Sequence, residues 1–357
     1  MKRREFLLSA AAVAATGLAR PLTARAAQIS KQAALDRVSI MTLNFQNLLK
    51  VPDTNPSPER TLELFDLPQM VADTYGVHKI EYQHYHLAST EDAYLKDLRK
   101  ALEKTKSTAQ QINLEFSDLN ISARTRRNRL LAIDLTRQFV NHAVLIGAKR
   151  VMINQGTLTP ENKAYAIDTL RTMVAYGKSK NIIVSVETRG GGGGNRGRAA
   201  GPAGGAAPAA GAQPAAGAAP APAAVAPAAG QPAAAGAGTG RAATTPPNFE
   251  GTPPASGPPT WMLLAEVIEG AGSYSNVDVG GAAAANQADL HACLKRMFPF
   301  TANTMHTRVN QNWDLATAMK YLEKELGYKG LYTIEANGGH AGTKPIYDVV
   351  VATLTGS

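Results

Sequence analysis

A chain of 357 residues with a formal net charge of +9 is long enough for one large domain and basic enough to raise the question of an anionic partner. Residues 1–26 carry Lys2, Arg3, Arg4, Arg20 and Arg25 against Glu5, a net +4, so only +5 remains for the rest, with no dense basic run; nucleic acid is not an expected partner. The tight cluster Arg124, Arg126, Arg127 and Arg129 sits at the start of a predicted helix and fits a solvated turn, and the single cysteine, Cys293, excludes an internal disulfide.

The chain opens on Lys2-Arg3-Arg4-Glu5-Phe6-Leu7-Leu8, then a small apolar run from Ser9 to Leu18, then Ala24-Arg25-Ala26. That order is a twin-arginine signal with its cleavage site, so residues 1–26 are expected to be removed by the twin-arginine export machinery, leaving a periplasmic or otherwise exported protein. The apolar run is too short to span a bilayer, and no stable membrane anchor is expected. Twin-arginine export carries folded proteins, so a bound metal would be loaded before transport.

From residue 36 onward, short apolar runs alternate with segments of helical spacing. Strands are predicted over Val38–Leu43, Lys79–Tyr82, Asn113–Phe116, Arg150–Ile153, Ile182–Glu187, Asn276–Val279, Thr301–His306 and Leu331–Glu335. Helices are predicted between and after them, over Leu62–Tyr75, Thr90–Gln111, Arg127–Ile146, Pro160–Ser179, Trp261–Gly270, Ala288–Met297, Trp313–Leu326 and Pro345–Leu354. Gly76, Gly147 and Gly327 follow helices and precede strands, where a left-handed C-terminal cap is expected. Eight strand–helix pairs in strict alternation, with no Gly-x-Gly-x-x-Gly turn after the first strand, argue for an α/β fold of the closed (β/α)8 TIM-barrel type, a single domain over residues 36–355.

One segment interrupts the alternation. Residues 190–257, directly after the fifth strand, are almost wholly Gly, Ala and Pro, with no aromatic between Gly190 and Asn248 and Val225 as the one bulky aliphatic in that stretch. Such a segment has too little apolar surface to offset its chain entropy, so a disordered insert is expected rather than a second domain. Without the signal and the insert about 260 residues remain, the usual size of one barrel.

Four of the predicted strands end in side chains that can hold a metal: Glu187, Asp278, His306 and Glu335. Parallel strands are buried on both faces, and functional groups collect where the apolar runs stop, at the C-terminal mouth of the barrel. Two Glu, one Asp and one His form a hard, mostly oxygen-donor set, suited to one divalent ion of Mn, Mg, Co or Zn. Arg308 lies two residues beyond His306 and shares its side if the strand continues; Glu81, His84 and His86 follow the second strand, with His84 and His86 on one side. Arg308 and His86 are the candidate substrate-binding residues, and Glu81 is given no role.

Val186-Glu187, Asn276-Val277-Asp278-Val279-Gly280, Met305-His306-Thr307-Arg308 and Thr333-Ile334-Glu335, in this order on the fifth to eighth strands, resemble the xylose isomerase-like barrel superfamily, often labelled sugar phosphate isomerase/epimerase. The resemblance covers residues 36–355 apart from the insert. It implies that Glu187, Asp278, His306 and Glu335 bind one divalent metal and that Glu187 and Glu335 also flank the substrate carbon that loses and regains a proton. Many members carry a His or Asn shortly after the sixth-strand Asp, where this chain has Gly280-Gly281, so a polar contact to the sugar is expected to be missing. Members often associate, which implies a homo-oligomer.

The chemistry accounts for these residue types. Moving a carbonyl along a sugar, or inverting the carbon beside it, needs a proton taken from a weakly acidic C–H and charge held on the adjoining oxygen. A divalent ion stabilises that enediolate and carboxylates serve as base and acid. The expected activity is therefore that of a metal-dependent sugar isomerase or epimerase on a small carbohydrate. Two alternatives stay open: a lyase or hydrolase on 3-keto-glycosides, which uses the same proton abstraction before expelling a leaving group, and a non-catalytic periplasmic sugar-binding barrel.

Overall fold

The computed structural model describes residues 29–51, 57–188, 259–281 and 284–356; the expected signal peptide and the expected insert lie outside the described residues. The described residues form a closed barrel of eight parallel strands in chain order, β1 Val38–Met41, β2 Lys79–Gln83, β3 Thr108–Leu114, β4 Arg150–Ile153, β5 Ile183–Glu187, β6 Tyr274–Asp278, β7 Thr301–Thr307 and β8 Leu331–Ile334, with β8 pairing back onto β1. Among the described residues the helices are α1 Lys31–Leu35, α2 Leu67–Tyr75, α3 Asp92–Lys104, α4 Arg126–Ile146, α5 Lys163–Ser179, α6 Thr260–Ala271, α7 Gln287–Met297, α8 Leu315–Lys324 and α9 Gly339–Thr355. From α3 to α9 each packs on its chain neighbour around the outside, and α9 also packs on α1. None of the described helices is long and apolar enough to cross a membrane.

The helix ends follow local rules. The Thr125 side chain caps α4 by accepting from the Asn128 amide, and α4 ends on Gly147 at φ 85°, as α2 ends on Gly76 at φ 67°. Gly327 has φ 71° but stands beyond the end of α8, whose C-cap is Glu325. On α3 the residues Leu95, Leu98 and Leu102 recur at three- and four-residue spacing and are buried, each contributing about 1.5–3 kcal/mol by leaving water.

Several predicted boundaries were displaced: α2 begins at Leu67 rather than Leu62, and β1 stops at Met41 rather than Leu43. The helix expected over Thr90–Gln111 stops at Lys104, and the strand expected over Asn113–Phe116 begins at Thr108. Gln110 and Gln111 suit a helix by propensity, yet Lys106 takes φ 54° and ends it, and Gln111 and Asn113 are then buried inside the barrel. Pro345 lies inside α9 rather than at its start.

Alternation sorts each strand. Ile80, Tyr82, Ile112, Val151, Val184, Val186, Val277, Met305, Tyr332 and Ile334 are buried in the hydrophobic core. The other set is polar and equally buried: Ser39, Glu81, Gln83, Gln111, Asn113, Ser185, Glu187, Asn276, Asp278, Thr304, His306, Thr333 and Glu335. Glu81 on β2 bonds His306 on β7 and Thr333 on β8, strands that are not its neighbours, so these groups meet across the barrel interior. A barrel interior is ordinarily filled with branched aliphatics. Here, beside Met41 and Met152 on the same inward face, it is filled with hydrogen-bonding groups, which are stable when buried only if they satisfy one another.

Candidate active site and metal centre

His306 stands at the centre of the site. Its Nδ1 lies 2.7 Å from Glu187 Oε1 and 3.4 Å from Glu335 Oε2, and its Nε2 lies 3.0 Å from Glu81 Oε2. The register explains the meeting: Asp278 pairs with His306 and His306 with Thr333, so the ends of β6, β7 and β8 reach one level, and β5 follows through Glu187 opposite Asn276. One ligand atom from each of Glu187, His306 and Glu335 falls within 4.8 Å of the others, and all three residues are buried.

Asp278 stands beside this trio, facing a different partner. Its Oδ1 accepts from the Gly280 and Gly281 amides at 3.0 and 2.7 Å, and its Oδ2 accepts a short ion-paired hydrogen bond from Arg308 Nη2. Arg308 Nη1 reaches Glu335 Oε1 at 3.3 Å, so one guanidinium bridges two of the four expected ligands. The two glycines make this possible. A Cβ on Gly280 would overlap the Arg308 side chain and backbone, and one on Gly281 would overlap the guanidinium and the Asp278 carboxylate. The Gly-Gly pair that replaces a polar residue is thus the seat of an arginine.

Electrostatics agree with the geometry. Burial disfavours a charged His306, but hydrogen bonds to Glu187, Glu335 and Glu81 outweigh it and hold the imidazole well above its ordinary value. Burial likewise works against ionised Glu81 and Glu335; the bond to His306 pulls Glu81 below the usual carboxylate value, and the nearby Arg308 does the same for Glu335. Asp278 is pushed up to about 7 by burial and by the adjacent Glu335 and Glu187, against the attraction of Arg308.

The donor set fits a divalent cation. Glu335 Oε2 is buried, and its contact with His306 Nδ1 is a long 3.4 Å, beside the Glu187 carboxylate. A divalent cation taking the place of the Nδ1 proton would find three ligand atoms, one nitrogen and two carboxylate oxygens, converging on one point. Arg308, Val309, Glu335, Ala336, Asn337 and Ile346 line an adjoining open cleft of about 290 Å³, at the small end of ligand pockets.

The remaining candidates separate. His86 is buried with Nδ1 2.8 Å from Thr42 Oγ1, while its Nε2 makes no hydrogen bond; burial lowers its pKa to about 3. His84 accepts from the Glu115 amide at 3.0 Å and packs at a tilt against the Phe116 ring, which is the bonding of a loop histidine. Glu81 is the residue whose part the sequence did not disclose. The one available signal was a carboxylate in Ile80-Glu81-Tyr82, in the middle of a strand expected to be buried on both faces.

No family model and no curated protein matches the sequence. The fold has close counterparts among solved structures. One is a D-psicose 3-epimerase from Clostridium cellulolyticum H10 with D-tagatose, 8% identical with a TM-score of 0.53, the match covering 90% of this chain and 96% of the epimerase. Another is a 3-keto-D-glucoside 4-epimerase from E. coli in apo form, 9% identical with a TM-score of 0.54, covering 90% of this chain and 99% of the other. A D-tagatose 3-epimerase-like protein is 14% identical with a TM-score of 0.55, covering 89% and 97%. The chain shares the closed eight-stranded parallel barrel fold of these proteins.

Proposed function

We propose that this protein is a divalent-metal-dependent sugar isomerase or epimerase that exchanges a proton on the carbon beside a carbonyl. The observation that supports it is the convergence of Glu187, His306 and Glu335 at the barrel mouth with Arg308 alongside, on a fold shared with epimerases of free and 3-keto sugars. Glu187, His306 and Glu335 would hold the ion, with Asp278 as the fourth ligand once Arg308 turns to substrate. The ion, when bound, supplies charge stabilisation for the oxygen that becomes negative as the proton leaves.

The rest falls to the chain itself. Glu335 lines the cleft and takes or returns the substrate proton, and Glu187 performs the complementary transfer. Arg308 carries five N–H donors, two of which are used by its bonds to Asp278 and Glu335, and its side chain is 36% exposed at the cleft; it holds substrate oxygens. Buried surroundings exclude water from the carboxylates and strengthen each of these contacts. His86 is retained as a substrate contact through its unbonded Nε2. On the Lys2 to Ala26 pattern the mature protein is an exported one, which favours sugars or glycosides outside the cytoplasm.

The test is solvent deuterium incorporation into ketoses and 3-keto-glycosides by metal-loaded protein. Exchange into at least one substrate is expected, and Glu187→Gln or Glu335→Gln abolishes it without unfolding the protein. Unchanged exchange in either variant removes that residue from the mechanism. Elimination in place of exchange would assign the lyase reading on 3-keto-glycosides, and binding without either, the sugar-binding reading.

A further inference from the structure

We propose that Glu81, on β2, is a positioning residue: it holds the Nε2–H of His306 and thereby presents Nδ1 as the ligating atom to the metal site. The inference rests on the metal reading above and adds a residue that neither the strand-end pattern nor the convergent trio includes.

Glu81 is fully buried, in the middle of β2, on a strand that is not paired with β7. An unpaired carboxylate there would cost several kcal/mol in desolvation, so its partners define its purpose. Every recorded contact is one a carboxylate accepts. Oε1 takes hydrogen bonds from Thr304 Oγ1 at 3.1 Å and Thr333 Oγ1 at 2.5 Å, and Oε2 takes one from Gln111 Nε2 at 3.2 Å. The remaining contact of Oε2 is His306 Nε2 at 3.0 Å. An acceptor held by three donors from β3, β7 and β8 cannot turn away, so the ring nitrogen it faces carries the hydrogen.

The other ring nitrogen faces the metal site: Nδ1 lies 2.7 Å from Glu187 Oε1 and 3.4 Å from Glu335 Oε2, and when a cation takes the place of its proton, the proton held by Glu81 stays on Nε2 and Nδ1 becomes the ligating atom. The Asn276 amide agrees with this only when its oxygen and nitrogen are exchanged. It lies 2.9 Å from Nε2 with its Oδ1 unbonded, and rotated by half a turn it gives Nε2–H a second acceptor while satisfying that oxygen. A carboxylate behind a ligating imidazole fixes the tautomer, holds the ring plane and raises the basicity of the ligand.

A purely structural Glu81 would act on stability; a positioning Glu81 acts on metal affinity at unchanged stability. The experiment is a titration of full-length protein with Mn(II), followed by the loss of the free-ion electron paramagnetic resonance signal, for the native chain, Glu81→Gln and Glu81→Asp, with thermal melts alongside. Glu81→Gln is expected to bind Mn(II) roughly ten- to hundredfold more weakly at a similar melting temperature, with Glu81→Asp intermediate. Binding by Glu81→Gln within twofold of native overturns the assignment while leaving the metal site intact. A native protein that takes up no Mn(II), Co(II) or Zn(II) overturns the metal reading and this inference together. Should Glu81→Gln not fold, Thr304→Val with Thr333→Val frees the carboxylate to turn; a severalfold loss of Mn(II) affinity supports the assignment, and no loss overturns it.

Discussion

Strands β5 to β8 carry Glu187, Asp278, His306 and Glu335 at or one residue from their C-terminal ends, ionisable groups brought to one level by register, whereas the ends of β2 and β3 carry the amides Gln83 and Asn113. The later half carries the chemistry. The earlier half contributes from below, through Glu81 and Gln111, which reach across the interior to His306. In a closed barrel, side chains from strands that are not paired meet in the interior, and a layer beneath the mouth can set the geometry of the layer above it.

The comparison breaks first at the late carboxylates. Glu187→Gln and Glu335→Gln are each expected to lower the rate of solvent exchange by roughly 10²–10⁴-fold, the usual contribution of a positioned acid or base. A smaller loss in either would show that the later half shares its proton chemistry with some other group.

Arg308 comes next. Arg308→Lys loses the two-handed bridge between Asp278 and Glu335, and a rise in KM of roughly ten- to hundredfold is expected, with kcat changing less. Gly281→Ala tests the same seat without removing a functional group. Its methyl would occupy the space of the guanidinium, so steady-state kinetics should show a rise in KM in the same range. Normal KM in Gly281→Ala would mean that the glycines are not there for the arginine.

The smallest effects are expected on the early side of the mouth. His86→Gln should raise KM by less than about tenfold, the value of one neutral hydrogen bond. It should also alter the response to acid. The unfolded histidine binds a proton below its ordinary pKa of about 6.5, whereas burial holds folded His86 neutral down to about 3. Stability is therefore lost as pH falls between these limits, on the order of 1 kcal/mol per pH unit, and His86→Gln should flatten that decline in thermal melts. An equal slope in the variant would place the acid sensitivity elsewhere.

Much of this was legible in the chain. Strand ends were readable because parallel strands buried on both faces leave short apolar runs, and a charged residue closing such a run has few structural reasons to be there. Three readings needed the third dimension. The start of β3 was hidden because Gln110 and Gln111 are as compatible with helix as with a strand whose inner face is polar. The Asp278–Arg308 pair depends on the register that sets Asp278 against His306, with Arg308 one alternation further on. The role of Glu81 depends on closure of the barrel through the β8–β1 pair, which brings β2 within three strands of β7, a relation that no local pattern carries.

The central claim is that Glu187, His306 and Glu335 share one divalent cation, and metal analysis after reloading with Mn, Co, Zn or Mg tests it directly. Native protein should retain about one equivalent per chain, and His306→Ala less than about a tenth under the same wash, as a site stripped of a ligand requires. Native protein retaining less than about a tenth of an equivalent of every one of these ions, or His306→Ala retaining as much as native, would contradict the account.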